Sequence, residues 1–330
     1  MVSISLVTPV YCGEKYLRDL VAEVARLREE LSSGGAPFSV DEMIFVDDNA
    51  IDNSASVLDE LAAQHPWVVV LHLSRNCGQH AATAAGILHT SGDWIVTLDE
   101  DLQHPPAKIP SMLRRAVTER ADIVYGRPAE AVHQSRRRDL SSRLYKRMIS
   151  TLTGNPAVRS FNSFRLVRGS IGRAAASVCN HDTYLDVTLG WYTQRVAVEP
   201  MTLKDQRFIE TGKSGYRLRS LMSHARRMVM SSQIRSLRIG GYFGLAVAAL
   251  SVLFGLYIVL RKQVDPAAFG VQGWASTVLL ISFFSGCIMV MLSIAIEYLA
   301  LLVARAHGRP LFFVVDRSLD ATLLGYFARC

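Results

Sequence analysis

The sequence is poor in the features that mark a disulfide scaffold or a structural zinc site. It has only five cysteines, and they are scattered over 330 residues. No two of them form a C-x-x-C pair or a spacing typical of zinc ligands. We therefore expect reduced thiols in a cytosolic environment, and neither a disulfide framework nor a zinc centre.

A cleavable leader is not predicted either. The chain starts with the strand-like stretch SISLVTPVY at residues 3–11, which has no basic segment followed by an apolar core. Such a start does not resemble a secretory signal peptide.

Two stretches near the C-terminus lack charge altogether. Residues 239–260 and 266–296 contain no Asp, Glu, Lys or Arg. The first is long enough for a transmembrane helix, and residues 274–296 of the second are as well. The connection between them is too short for a domain, so we expect a two-helix transmembrane hairpin over residues 239–304. These stretches explain a mean hydropathy of +0.20, which is high for a soluble enzyme.

Basic residues flank the predicted hairpin on both sides. Residues 204–238 carry nine Lys or Arg against two acids, and Arg305, Arg309 and Arg317 follow the second span. Positive flanks place both ends of the hairpin, including a tail over residues 305–330, in the cytoplasm. The net charge of +7 is thereby explained by membrane lipid, and nucleic acid is not needed as a partner.

Two further segments have a basic and an apolar face. Leucine and methionine recur every four residues within 136–153, among several arginines, and a second apolar stripe lies within 216–238. We expect an interfacial helix over 136–153 and a juxtamembrane amphipathic helix over 216–238. An ordinary solvated helix shows the same spacing in a soluble protein, but the predicted spans favour the membrane.

The amino-terminal part alternates between strand-like and helix-like patterns, which predicts a mainly parallel, Rossmann-like α/β sheet. Strands are predicted at residues 4–10, 43–46, 68–73, 94–98 and 122–126, and helices at 17–31, 54–63, 81–88 and 109–119. Acidic or polar loops follow the strands, so one edge of the sheet should carry the functional site.

The stretch TLDEDLQHPP at residues 97–106 is the most informative of these loops. Asp99 and Asp101 are two residues apart and would point to the same side if the extended geometry persisted. Hard oxygen ligands at such a place suit Mg²⁺ or Mn²⁺ holding a diphosphate. A solvated acidic turn after an edge strand is the alternative, and an isolated D-x-D does not decide between the two.

Six motifs occur along the chain: PVY at 9–11, DD at 47–48 with Asp52, SRNCGQHAATAAG at 74–86, TLDEDLQHPP at 97–106, RFIETGKSGY at 207–216 and RPL at 309–311. Taken together, these motifs resemble glycosyltransferase family 2, in particular its membrane-anchored polyisoprenyl-phosphate glycosyltransferases. The resemblance covers nearly the whole chain, and the GQH loop at 78–80 is similar to that of undecaprenyl-phosphate aminoarabinose transferases. It implies a GT-A Rossmann-like catalytic domain over residues 1–215, followed by two transmembrane helices.

The resemblance also implies roles for individual residues. Asp99, Asp101 and Gln103 would hold Mg²⁺ or Mn²⁺, and Arg127, Arg138 and Ser142 would bind the acceptor phosphate. The donor would be bound by Pro9, Tyr11, Asp47, Asp48, Arg75, Asp99 and Gln103. His80 could also contact donor phosphate or metal, although a structural role is common for such a histidine, and Asp48 could instead cap the next helix.

The implied function is an inverting transfer of a sugar from a nucleotide sugar, preferably a UDP-sugar, to a polyprenyl phosphate such as undecaprenyl phosphate. The product would serve cell-envelope glycan modification at a bacterial inner membrane, with the catalytic domain and both termini cytoplasmic. A homo-oligomer, by resemblance a tetramer, is expected. The alternative is a membrane-anchored, non-catalytic binding protein on a GT-A-like fold.

Several departures from the family pattern matter. Cys12 replaces the usual Asn after PVY, and Asn49-Ala50 replaces Gly-Ser, although Asn tolerates the left-handed conformation of such a turn. The stretch VRSFNSFR at 158–165 lacks an acid that relatives often carry before FRL, so a role as base is in doubt there. The Q-x-x-R-W motif of polymerising relatives is absent, which disfavours a processive synthase.

Overall fold

The computed structural model describes residues 1–128, 161–180, 183–201 and 310–316, with single positions between 253 and 327. The chain divides into two units. One comprises Met1–Thr151, Asn155–Ser231 and Pro310–Cys330, and the other comprises Leu152–Gly154 and Ser232–Arg309. The regular structure given below belongs to the first unit.

Strands and helices alternate along the first unit, as the sequence predicts. In chain order they are β1 (Val2–Val10), α1 (Leu17–Ser33), β2 (Phe38–Asp47), α2 (Ser54–Gln64), β3 (Val68–His72), α3 (Gln79–Leu88), β4 (Trp94–Thr97), a 3₁₀ turn (Pro106–Lys108), α4 (Ile109–Thr118), β5 (Ile123–Pro128), β6 (Arg165–Arg168), α5 (Gly169–Ser177), α6 (Leu185–Tyr192) and β7 (Val196–Met201).

The predicted ends differ most at β2. It begins at Phe38 rather than Met43 and pairs with β1 from there onward. Polar Ser39, Asp41 and Glu42 interrupt the apolar run that a strand prediction depends on, yet β2 pairs with β1 on both sides of an irregularity at Asp41, where the register shifts by one residue.

The seven strands form one sheet in the order β3-β2-β1-β4-β6-β5-β7. The pairs β1–β2, β1–β4, β2–β3 and β5–β7 are parallel. Strand β6, which the sequence analysis did not predict, lies antiparallel between β4 and β5. The sheet is therefore mainly parallel, as expected, but mixed.

Helices cover both faces of the sheet. On one face α1, α2 and α4 pack on apolar side chains such as Ile4, Phe45 and Val96. On the other, α3, α5 and α6 pack on Val7, Ile95 and neighbouring residues. Burial on both faces explains why stretches such as residues 43–46 and 94–96 are continuously apolar instead of alternating.

Several predicted segments lie outside the described residues. These are the interfacial helix 136–153, the juxtamembrane helix 216–238 and, apart from single positions, the hairpin 239–304. In the part of the chain that the structure describes, no helix has both the length and the apolar character needed to cross a membrane.

A buried ion pair ties β6 to α6. Arg165 and Asp186 are 3% exposed each and form a salt bridge, and the Tyr125 hydroxyl donates a 2.8 Å hydrogen bond to the same carboxylate. Burial alone would lower the pKa of Arg165, but the Asp186 carboxylate together with Tyr125 and Tyr184 raises that pKa, so the guanidinium stays charged.

We predict that Asp186→Asn destabilises the fold strongly, because it leaves the Arg165 charge buried without its counter-ion. The expected loss in the free energy of unfolding is about 3–5 kcal/mol. Glu60→Gln is the matched control, since the Arg18–Glu60 pair is more than half exposed and should contribute about 1 kcal/mol or less. Denaturant unfolding measures both, and equal effects would contradict the prediction.

Candidate active site

Four strands bring polar side chains to one edge of the sheet. Because β1, β2 and β4 are parallel, the residues after them, including Tyr11, Asp48 and Asp99, lie at the same edge. Strand β6 runs in the opposite direction, so Ser163, which precedes it, reaches that edge as well. The sequence predicted that the residues after β1, β2 and β4 lie at this edge. It did not predict the place of Ser163, which depends on the direction of β6.

The Asp99 carboxylate is held from two sides. Its Oδ1 accepts a 2.8 Å hydrogen bond from Gln79 Nε2, and its Oδ2 accepts a 2.7 Å bond from the Ser163 hydroxyl. The side chain is nevertheless 25% exposed. A carboxylate has about four lone-pair sites, so two donors fix its orientation and leave sites for a ligand.

Asp101 is presented by a turn rather than by the strand. Strand β4 ends at Thr97, so the extended geometry that would align the two acids does not persist. Leu102 has φ +58°, a left-handed conformation that costs a non-glycine residue about 1–3 kcal/mol and is found preferentially at functional sites. Asp101 is buried, and its Oδ2 accepts a 2.9 Å bond from Gln103 Nε2.

His104 helps to hold the acidic turn in place. Its Nδ1 accepts a 3.0 Å hydrogen bond from the backbone N–H of Asp99, and its ring stacks on Phe164. Burial lowers the pKa of His104, so the ring is neutral and carries its proton on Nε2. That nitrogen lies 3.8 Å from Asp99 Oδ2. The sequence analysis gave His104 no role.

Glu100, to which we also assigned no role, joins the turn to the loop after β1. Its carboxylate accepts hydrogen bonds from the backbone N–H groups of Tyr11, at 2.8 Å, and Cys12, at 3.3 Å. A Cβ on Gly13 would come within 2.8 Å of Glu100 Oε2. A side chain at position 13 would therefore require the Glu100 carboxylate to shift.

Asp47 and Asp48 are both buried and hold loops in place. Asp48 accepts hydrogen bonds from the N–H groups of Cys77, at 2.6 Å, and Gly78, at 2.8 Å, and burial raises its pKa. Asp47 Oδ1 accepts from Ala50 at 2.8 Å, across a turn in which Asn49 has φ +55°. The left-handed turn expected at Asn49 is thus confirmed.

Asp48 does not cap the next helix, α2, which was the alternative role for it, because its carboxylate binds Cys77 and Gly78. Asp52 instead accepts hydrogen bonds from the backbone N–H and hydroxyl of Ser54, at the start of α2. Contact of Asp47 and Asp48 with a nucleotide stays a prediction.

The other predicted site residues are more dispersed. Pro9 lies within β1, Arg75 is exposed in the loop after β3, and Arg127 is exposed near the end of β5. His80 packs against Tyr184, with ring centroids 3.9 Å apart, beside a cavity of about 80 Å³. Arg138 and Ser142 lie outside the described residues.

The possible metal ligands at the acidic turn are two carboxylates and one amide. No group of three or more His, Cys, Asp or Glu that could hold a metal ion is found among the described residues. Asp99, Asp101 and the Gln103 amide oxygen are hard ligands that suit Mg²⁺ or Mn²⁺. Their chemistry therefore fits a divalent cation that also takes oxygens from a bound ligand.

A carboxy-terminal segment completes the loop after β3. Val314 forms an antiparallel bridge with Leu73, and the backbone N–H of Ser74 donates a 2.9 Å hydrogen bond to Phe313. The N–H of Val315 donates to His72, also at 2.9 Å. Residues 310–316 thus fix the chain just before Arg75.

His72 links the end of β3 to two acids. Its Nδ1 lies 2.9 Å from Asp47 Oδ2, and its Nε2 lies 3.1 Å from Asp59 Oδ1. The hydrogen bond with Asp47 is the main reason that the pKa of His72 is raised, with partial burial opposing and Asp59 adding to the effect.

Comparison with known proteins agrees with the family resemblance found in the sequence, over most of the chain. A family model described as "Glycosyl transferase family 2" matches residues 5–179. An undecaprenyl-phosphate 4-deoxy-4-formamido-L-arabinose transferase from Klebsiella pneumoniae is 30% identical over 94% of this chain and 92% of its own. The transferase of the same name from Shewanella sediminis is 28% identical over 95% and 92%.

Among solved structures, a glucosyl-3-phosphoglycerate synthase from Mycobacterium tuberculosis shares the fold. Its complex with Mn²⁺, UDP-glucose and phosphoglyceric acid matches with a TM-score of 0.51 at 15% identity, over 71% of this chain and 80% of that one. The described part of the first unit therefore has the expected GT-A Rossmann-like α/β fold, with a mixed sheet.

We predict that the stabilisation provided by His72 depends on pH. Because its pKa is higher in the folded protein, the contribution is fully present below about pH 6.5, the unfolded value, and is lost as pH rises through the folded value. His72→Gln should lower the free energy of unfolding by about 1 kcal/mol at pH 6 and by clearly less at pH 8.5.

Denaturant titrations at the two pH values measure this difference. His65→Gln is the control, because the ring of His65 packs against Trp67. A His72→Gln effect that is the same at both pH values would contradict the assignment.

Proposed function

Because this chain belongs to glycosyltransferase family 2, we propose that it transfers a sugar from a nucleotide-sugar donor to a polyprenyl phosphate. The observation that carries the proposal is the acidic turn after β4, where Asp99 is held by two donors yet stays partly open. Support for the acceptor comes from the two relatives, which are named for undecaprenyl phosphate and match along almost their whole length.

The proposed reaction is an inverting displacement. A phosphate oxygen of the acceptor attacks the anomeric carbon of the sugar, and the bond from that carbon to the nucleoside diphosphate breaks. A phosphate monoester has its second pKa near ~6, so it is already an anionic nucleophile at neutral pH. The protein therefore has to position the acceptor more than it has to deprotonate it, and the missing acid before Phe164 is tolerable.

On the donor side, Asp99, Asp101 and Gln103 would hold Mg²⁺ or Mn²⁺. When bound, such an ion neutralises negative charge on the leaving diphosphate. Pro9, Tyr11, Asp47, Asp48 and Arg75 would line the nucleotide side, with His80 as a weaker candidate. A UDP-sugar is the preferred donor, and the UDP-glucose complex of the M. tuberculosis protein is compatible with that preference.

On the acceptor side, we assign the phosphate to Arg127, Arg138 and Ser142. Strand β5 is parallel to β4, since both are antiparallel to β6, so Arg127 lies at the same edge of the sheet as Asp99. A guanidinium can bind two phosphate oxygens at once. Arg138 and Ser142 are four residues apart and would share one face of a helix.

The proposal includes a membrane anchor. A catalytic domain over residues 1–215, helices over 136–153 and 216–238 at the lipid surface, and a transmembrane hairpin over 239–304 would bring the acceptor site to the headgroups. The catalytic domain and both termini, with the tail 305–330, would face the cytoplasm at a bacterial inner membrane. A homo-oligomer, by family resemblance a tetramer, belongs to the same proposal.

We predict that the purified full chain in detergent forms a lipid-linked sugar from at least one UDP-, GDP- or TDP-sugar and a polyprenyl phosphate. Asp101→Asn should reduce turnover at least about a hundredfold, because metal stabilisation of the leaving group contributes several kcal/mol. It should also weaken binding of Mn²⁺, measured by titration without acceptor. Undiminished turnover in EDTA would exclude the metal, and no product from any donor would exclude the transferase.

We also predict that Arg138 binds the acceptor phosphate specifically. Arg138→Ala should weaken polyprenyl-phosphate use by about ten- to a hundredfold, the value of one charged hydrogen bond, and leave nucleotide-sugar binding unchanged. Arg136→Ala and Arg137→Ala are the matched controls, assayed in neutral detergent. Equal, small effects from all three variants would indicate general attraction to anionic lipid instead.

A further inference from the structure

The hydroxyl of Ser163 has one proton and two acceptors near it. Asp99 Oδ2 lies 2.7 Å away, whereas Asn162 Oδ1 lies 3.4 Å away. The shorter distance and the negative charge of the carboxylate both favour donation to Asp99, since hydrogen bonds to charged acceptors are shorter and stronger. Ser163 therefore donates to Asp99.

The backbone of Ser163 is held by buried groups and not by a loose loop. The Thr97 hydroxyl donates to the carbonyl of Ser163, and Arg165 Nε donates a 3.0 Å hydrogen bond to that same hydroxyl. Arg165 is in turn paired with Asp186. The position of the Ser163 hydroxyl thus depends on the buried ion pair between β6 and α6.

The preceding residue adds a second attachment. Asn162 Nδ2 donates a 2.7 Å hydrogen bond to the carbonyl of Gly126 in β5, and its Oδ1 accepts one from the N–H of Phe164. Residues 162–165 are consequently fixed to both neighbouring strands, β4 and β5. A hydroxyl on so rigid a segment can determine the orientation of the side chain that it contacts.

The donor on the other oxygen of Asp99 comes from a different element. Gln79 is the first residue of α3, and the loop before it is fixed by the hydrogen bonds from Cys77 and Gly78 to Asp48. Rotation of the Asp99 carboxylate would break the bond to Gln79 or the bond to Ser163. Together the two donors hold one rotamer.

We propose that Ser163 is the positioning residue for Asp99, holding its carboxylate ready for a divalent cation through a neutral hydroxyl that adds no charge to the site. This inference rests on the proposed function, in which Asp99 is a metal ligand. Ser163 acts through Asp99 and has no part in proton transfer. Residues that orient a metal ligand typically contribute about ten- to a hundredfold to metal affinity.

The test compares Mn²⁺ affinity of full-chain variants in detergent, titrated in the presence of UDP and without acceptor. Ser163→Ala should bind Mn²⁺ about ten- to a hundredfold more weakly than the unaltered chain, and Ser163→Thr, which keeps the hydroxyl, should restore most of the affinity. Ser177→Ala is the matched control, because that exposed hydroxyl bonds only locally, to Ala174. It should leave Mn²⁺ affinity unchanged.

A second variant keeps the test valid if Ser163→Ala unfolds at a lower temperature. Gln79→Ala removes the donor on the opposite oxygen, from an exposed side chain, and should weaken Mn²⁺ binding to a similar degree. Unchanged affinity in Ser163→Ala overturns the inference, and so does an equal loss in Ser163→Ala and Ser163→Thr. If the unaltered chain binds Mn²⁺ but transfers no sugar, the proposed function fails while the comparison of variants still decides the role of Ser163.

Discussion

The hydrogen bonds from Gln79 and Ser163 to the Asp99 carboxylate are the constraint on which the candidate site depends. Each donor reaches Asp99 only because a separate part of the fold is in place. Gln79 follows a loop that Asp48 holds, and Ser163 precedes a strand that the Arg165–Asp186 pair connects to α6. The orientation of one partly exposed carboxylate therefore depends on two buried ones, Asp48 and Asp186.

The three consecutive acids after β4 illustrate how such a cluster is tolerated. Like charges side by side repel, and each must be compensated locally. Glu100 accepts hydrogen bonds from the backbone N–H groups of Tyr11 and Cys12, Asp101 accepts from Gln103, and Asp99 accepts from Gln79 and Ser163. The three side chains thus point to three sets of donors, and of the three only Asp101 is buried.

The carboxy-terminal residues 310–316 belong to this arrangement although they are far away in sequence. Their bonds to His72, Leu73 and Ser74 hold the chain that leads into the loop with Arg75. The two predicted membrane spans precede this segment in the sequence.

Much of the fold could be read from the sequence, because local patterns express it. Burial on both faces makes stretches such as residues 43–46 and 94–96 continuously apolar, and the helices between the strands show apolar residues at helical spacing. The acidic turn was recognisable because Pro105 and Pro106 end the strand-like run beside clustered acids. The left-handed turn at Asn49 followed from the conformational tolerance of that residue.

The contacts at the site could not be read in the same way, because they join residues that are far apart in sequence. Nothing near Glu100 indicates that it binds the loop after β1, and nothing near Ser163 indicates that it faces Asp99. Strand β6 has only two apolar residues, which lie between Arg165 and Arg168, so it shows no strand-like apolar run. Its antiparallel direction alone brings Ser163 to the active edge. The amino-acid sequence by itself thus determined the alternation of strands and helices and the chemical nature of the acidic turn. Only the tertiary structure decided which donors orient each carboxylate, because hydrogen bonds between distant segments leave no local signal.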